Sequence, residues 1–148
     1  MPSTLSTLRS SSRRDTATKS ERQVFHSGSP FEVRASYARA VRAGGLIAVS
    51  GTAATDADGT ALHPGDTFAQ TRNAFERALG AVEELGGTRD DVVRTRIFLT
   101  PDADWRGATD AHRELFAGID PANTTLYVHG FIPDGVLVEV EVDAVVEL

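Results

Sequence analysis

The chain contains no cysteine, which excludes disulfides, thiolate metal sites and a cysteine nucleophile. Histidine is scarce and scattered: His26, His63, His112 and His129 show neither H-x-x-x-H nor H-E-x-x-H spacing, so no metal is expected. There is no apolar run of the roughly 7 to 15 residues that a secretory signal needs. Basic residues are outnumbered, 15 Lys and Arg against 21 Asp and Glu for a formal charge of -6. A phosphate-backbone binder needs a basic surface to displace counterions, so neither nucleic acid nor a membrane is expected as a partner.

The charge is unevenly placed. Residues 1–22 hold five basic residues (Arg9, Arg13, Arg14, Lys19, Arg22) against Asp15 and Glu21. Besides Met1, only Leu5 and Leu8 in this stretch are sizeable apolar groups, too few to offset the entropy of ordering it. It is expected to be a disordered basic extension. Its arginines have no amphipathic period, so it is not read as a transit peptide, and a cytoplasmic location is expected. Residues 23–148 then form one domain, long enough to bury a core.

Within that domain, Val24 to Ser27 reads as a short edge strand, and Tyr37 to Arg42 followed by Leu46 to Ser50 reads as a hairpin turning at Ala43-Gly44-Gly45. Phe68, Phe75, Leu79, Val82 and Leu85 recur at helical spacing, with Asp66 to cap the start and Gly86-Gly87 to stop the end. A strand Arg94 to Leu99 follows. Trp105, Ala108, His112, Leu115 and Phe116 mark a second amphipathic helix, and Thr124 to Ile132 and Val136 to Val145 read as two more strands. The order β-β-β-α-β-α-β-β gives an α+β, two-layer domain: a mixed sheet with two helices on one face. Leu46 to Ser50 is apolar on both faces, which in a two-layer domain implies a partner subunit.

The last strand, Leu137-Val138-Glu139-Val140-Glu141-Val142-Asp143, alternates valine with carboxylate, so one face is core and the other carries three acids. Arg94 and Arg96 on the preceding strand are placed to neutralise Glu141 and Asp143 on a solvated face. Glu139 stands nearest the loop Pro133-Asp134-Gly135, where a strand end reaches a cleft, and is the first candidate for a site acid. On Asn123-Thr124-Thr125-Leu126-Tyr127-Val128-His129, alternation puts Asn123, Thr125, Tyr127 and His129 on one polar face. His129 reads as a surface residue near a loop, and His112 as a core-edge residue of its helix.

Several segments together resemble the reactive-intermediate deaminase (Rid, or YjgF) family: Ser36-Tyr37-Ala38-Arg39-Ala40-Val41, Val49-Ser50-Gly51, Gln70-Thr71-Arg72, Asp91-Val92-Val93-Arg94-Thr95, Pro121-Ala122 and Val138-Glu139-Val140-Glu141. The resemblance spans Ser36 to Leu148. It implies a chorismate mutase-like fold, a homotrimer with sites in clefts between subunits, and cofactor-free hydrolysis of enamines or imines to 2-oxo acids and ammonia. Glu139 matches the family's proposed catalytic glutamate. The family's deaminases hold the substrate carboxylate with an arginine directly after the Pro-Ala pair, and Asn123 stands there in this chain. A neutral amide is no substitute for a bidentate guanidinium. Thr109 aligns with a family asparagine and Thr125 with a family cysteine.

The resulting expectation is a cytoplasmic Rid-like enzyme for a small enamine, imine or oxo-acid-type intermediate, distinct from the standard 2-imino acid deaminases. Glu139 would exchange the proton, through a water held by Thr125 and the Ser50 region, with Tyr37 walling the cleft. Asn123, Ser50, Gly51, Thr109 and Tyr127 would contact the substrate, and Arg34 or Arg39 would replace the missing cation. The alternative is a small-molecule binding trimer of the same fold without catalysis. A ribonuclease is disfavoured by the acidic body and the lack of paired histidines.

Overall fold

The computed structural model describes residues 21–148; the expected disordered extension falls almost wholly outside them. Six strands form one mixed sheet in the order β1-β2-β3-β6-β4-β5: β1 (Gln23–Phe25), β2 (Ala40–Ala43), β3 (Leu46–Ala53), β4 (Val92–Leu99), β5 (Ala122–Tyr127) and β6 (Val138–Val145). All pairs are antiparallel except β4 with β5. That parallel pair needs a crossover, and the helix between the two strands supplies it.

The two expected helices are present and pack on one face of the sheet. The longer, α2 (Thr67–Glu84), starts where the Asp66 carboxylate accepts from the Ala69 N–H at 3.0 Å, and Gly86 follows it at φ 86°. It buries Ala74, Phe75, Ala78 and Val82, all at 0 % exposure, over Val138, Val140 and Val142 of β6, also at 0 %. Burial of each such valine stabilises by about 1.5–3 kcal/mol. A slip of one residue in β6 would instead bury its carboxylates, so this face fixes the register. The other helix, α3 (Trp105–Phe116), opens on Asp104 and buries Ala108, Ala111 and Phe116. Trp105 does not join its apolar stripe; it is exposed, with the Arg106 guanidinium 4.5 Å from its ring centroid.

Four features differ from expectation. A third helix, α1 (Pro30–Ala35), lies before β2; at six residues it is too short to show a hydrophobic period, though Ser29 caps it and Pro30 opens it. The first hairpin strand starts at Ala40 rather than Tyr37. The strand expected to run to Ile132 ends at Tyr127, where the chain leaves the sheet for the loop before β6. Finally, β3 extends past Ser50 to Ala53 by way of a register shift between Val49 and Thr52.

The face away from α2 and α3 carries the acids of β6. Arg96 Nη1 lies 3.1 Å from Glu141 and 3.5 Å from Asp143, so one of the two expected arginines faces both acids across the sheet, while Arg94 forms no ion pair among the described residues. Such half-exposed pairs add only about 0–1 kcal/mol each. Leu46, Val145, Val24 and Leu126 are exposed. Strand β5 forms one edge of the sheet and is exposed at five of its six residues.

Candidate functional site

Strands β3 and β6 run in step from Leu46 opposite Val145 to Val49 opposite Val142, and resume at Thr52 opposite Val140. Three residues advance on β3 against two on β6, the count of a β-bulge, and it falls on Ser50-Gly51. Past the bulge, Thr52 turns inward at 1 % exposure and Ala53 lies opposite Glu139. A Cβ on residue 51 would stand 2.2 Å from Glu139 Oε1. Only glycine leaves room for the carboxyl group to lie against the β3 backbone.

Arg39 lies beneath this contact. Its guanidinium donates to Gly51 O at 2.5 Å and Thr52 Oγ1 at 3.2 Å, and meets Glu32 Oε2 at 3.5 Å. It also sits 5.7 Å from the centroid of the Tyr37 ring. The partner Glu32 is buried on α1, where its carboxylate accepts from the Ser27 N–H at 3.0 Å and from the Ser27 hydroxyl. Burial by itself would raise the Glu32 pKa, but the Ser27 hydrogen bonds and the Arg39 charge together hold it below the ordinary carboxylate range. Arg39 is therefore compensated by a committed anion.

Glu139 behaves oppositely. Its pKa is raised, first by burial and then by Glu141, against the opposing pull of Arg39. A carboxyl poised this way holds a proton nearer to neutrality, as a general acid or base requires.

These groups line a cleft of about 840 Å³, within the size range of small-molecule sites. Its walls include Phe31, Arg34, Tyr37, Arg39, Gly51, Arg77 and Glu139, with Ile132 and Pro133 from the loop before β6. Among the described residues no group of three or more His, Asp or Glu side chains converges to hold a metal ion, and no helix is long and apolar enough to cross a membrane.

Of the residues singled out in the sequence, Tyr37, Gly51 and Glu139 meet in this cleft, together with Arg34 and Arg39. Ser50 belongs to the bulge, and its hydroxyl donates to Ala38 O at 2.7 Å. Asn123, Thr125, Thr109 and Tyr127 do not line this cleft. Asn123 and Thr125 stand on the helix side of the sheet, whereas Glu139 stands on the other. The Thr125 hydroxyl donates to Asn123 Oδ1 at 2.8 Å, and Asn123 Nδ2 donates to Thr95 Oγ1 at 3.1 Å. Thr95 Oγ1 in turn lies 2.8 Å from His112 Nε2. Burial depresses the His112 pKa, and its ring packs against Phe75 and Phe116, the core-edge role expected. Thr109 bonds back to Arg106 O at 3.0 Å; His129 and Tyr127 are exposed.

Arg39, one of the two arginines expected to replace the missing cation, is 7 % exposed, because α1 folds over it and brings Glu32. Glu32 and Arg77 were not read as site residues. For Arg77 a signal existed: it stands seven residues after Gln70 and three after Ala74, on the core-facing side of α2, where an arginine is out of place.

The loop preceding Glu139 is held by Gln70, at 0 % exposure. The amide donates to Gly135 O at 3.0 Å and His63 O at 3.3 Å, and accepts from the Leu137 N–H at 2.9 Å. Gln70→Leu is expected to leave these backbone groups unpaired, at a cost of about 1–3 kcal/mol. Thermal denaturation would register this as a melting point lower by several degrees, whereas an unchanged melting point would mean that the loop is held by other contacts.

A mixed antiparallel-parallel sheet with two crossover-side helices and a cleft at a β-bulge defines the class. The family model described as Endoribonuclease L-PSP matches residues 27–146. A crystal structure of Rv2704 from Mycobacterium tuberculosis, described as a member of the highly conserved YjgF/YER057c/UK114 family, is similar at 40 % identity and TM-score 0.76, over 85 % of this chain and 100 % of that one. A Rid-family protein of Yersinia pestis is similar at 29 % identity and TM-score 0.74, over 85 % of this chain and 100 % of that one. An uncharacterized protein of Streptomyces coelicolor is 43 % identical over 118 residues, 80 % of this chain and 87 % of that protein. The chain belongs to the YjgF/Rid family.

Proposed function

We propose that this protein is a cytoplasmic Rid-family enzyme that acts on a small enamine, imine or oxo-acid-type intermediate by cofactor-free acid–base chemistry, with Glu139 moving the proton. The observation that carries the reading is the Glu139 carboxyl, partly buried against Gly51 in a cleft, with its pKa raised. Protonated Glu139 would donate to the enamine carbon or imine nitrogen. The resulting carboxylate would take a proton from the water that attacks the imine carbon, and collapse of the carbinolamine would release ammonia and leave a carbonyl. Tyr37 would wall the cleft.

The working unit in this reading is a homotrimer. Asn123 and Thr125 lie on the opposite side of the sheet from Glu139, so they join its cleft only if a neighbouring copy brings its β5 edge against it. An open edge strand and an exposed apolar rim on the sheet are the features that oligomer contacts cover. Light scattering at micromolar concentration is expected to give three times the mass of the chain. A stable monomer would contradict both the assembly and a site shared between copies.

Asn123 supports a reaction other than standard 2-imino acid deamination, since its amide is uncharged and already engaged with Thr95 and Thr125. The same engagement favours a second reading, a trimer that binds small molecules without turning them over. The endoribonuclease named in the family description finds less support here, given the net negative charge and the neutral, core-packed His112. A screen of enamines and imines generated in situ separates the two main readings: accelerated release of ammonia supports the enzyme, and saturable binding without acceleration supports the binder.

A further inference from the structure

Arg77 reaches the cleft from α2. Its Nη1 donates to Ala53 O and, at 3.1 Å, to Thr55 Oγ1, which uses both protons of that nitrogen. Its Nε and Nη2 make no hydrogen bond to the described residues and are not sealed from solvent. Three N–H donors in a planar fork are thus left for a ligand. The partners that Arg77 has are a carbonyl and a hydroxyl, so its charge lacks the carboxylate that Glu32 provides to Arg39. Burial depresses its pKa, and the Arg39 charge adds to the effect, with Glu32 opposing it. A half-buried guanidinium beside a second one is an environment that an oxyanion relieves.

The fork and the Glu139 carboxyl belong to one cleft. Arg77 is fixed at Ala53, the residue opposite Glu139 in the ladder, and at Thr55 two residues further on, while the Glu139 carboxyl lies back over Gly51.

We propose that Arg77 is the anion-holding residue of the cleft, and that it meets a carboxylate-type oxyanion of the substrate while another atom of the substrate exchanges a proton with Glu139. This rests on the cleft being the reaction site and adds the chemistry of the substrate to it. Recognition of charge is thereby moved from β5, where Asn123 stands, to α2.

The test is titration of the full-length protein with two stable ketones, 4-oxopentanoate and its neutral counterpart pentan-2-one, followed by calorimetry or NMR. The wild type is expected to bind the carboxylate at least about tenfold more tightly than the neutral ketone, the scale of one charge-assisted hydrogen bond. Arg77→Gln removes that preference. Arg77→Lys, which keeps the charge but not the fork and serves if the glutamine variant fails to fold, retains part of it. Arg72→Gln, on the exposed side of the same helix, retains all of it. Equal affinity for the two ketones in the wild type, or a preference that survives in Arg77→Gln or is undiminished in Arg77→Lys, would overturn the proposal. Binding is read apart from turnover: an Arg77-dependent preference with a fully active Glu139→Gln variant would remove the acid–base reading and keep the anion site, whereas the converse would remove only the anion site.

Discussion

Glu139→Gln is expected to lose turnover by at least about two orders of magnitude, the lower range for removal of a general acid or base, while remaining folded and assembled. The amide keeps the shape of the side chain over Gly51 but cannot exchange a proton near neutral pH. The substitution should also change how stability depends on pH. The pKa of Glu139 is raised in the folded state by burial, so the folded protein binds this proton more tightly than the unfolded chain does. Its contribution is fully present below the unfolded pKa and is lost as pH rises through the folded one. The glutamine variant has no such proton to lose. Its melting temperature should gain on that of the wild type as pH is raised from the acid range to neutrality. A variant with wild-type turnover would remove Glu139 from the mechanism, and a pH-independent difference in melting would mean that the carboxyl is not desolvated in solution.

Asn123→Arg is expected to raise activity on iminopropionate or iminobutyrate by about tenfold or more, the effect of adding a charge-assisted pair to a substrate carboxylate. The substitution is structurally affordable: Thr95 keeps His112 as a partner when the Asn123 amide is removed, and Thr109 is occupied with its own helix. Loss of the Thr95 bond should cost about 0.5–1.5 kcal/mol. Rates of ammonia release from imines generated in situ decide the matter. A wild-type protein that already matches an arginine-bearing relative on these imines would refute the argument from Asn123.

The helix-covered face of the sheet was legible because it follows from local periodicity. Valines at alternate positions of β6 and apolar residues at helical spacing in α2 specify the same layer, and Asp66 and Gly86 bound the helix. Glu139 was singled out in the sequence because it stands at the strand end nearest the loop Pro133-Asp134-Gly135; that it lies opposite Ala53, while Glu141 and Asp143 face an arginine, is seen only in the fold. The bulge at Ser50-Gly51 was not legible, since it exists only in the register between β3 and a strand some ninety residues later. Arg39 has the alternation of an exposed residue and is buried only because α1, a helix too short to announce itself, delivers Glu32. The division of the expected site between two faces of the sheet was hidden for the same reason: alternation tells which residues share a face, and not which face meets the cleft.

The chemical shift of a 13C-labelled Glu139 carboxyl, followed against pH with and without 4-oxopentanoate, tests most directly whether this cleft is the reaction site. The account predicts a midpoint above the ordinary glutamate value of about 4.3, displaced when the ketone is bound. A midpoint at the ordinary value that the ligand leaves unmoved would contradict it.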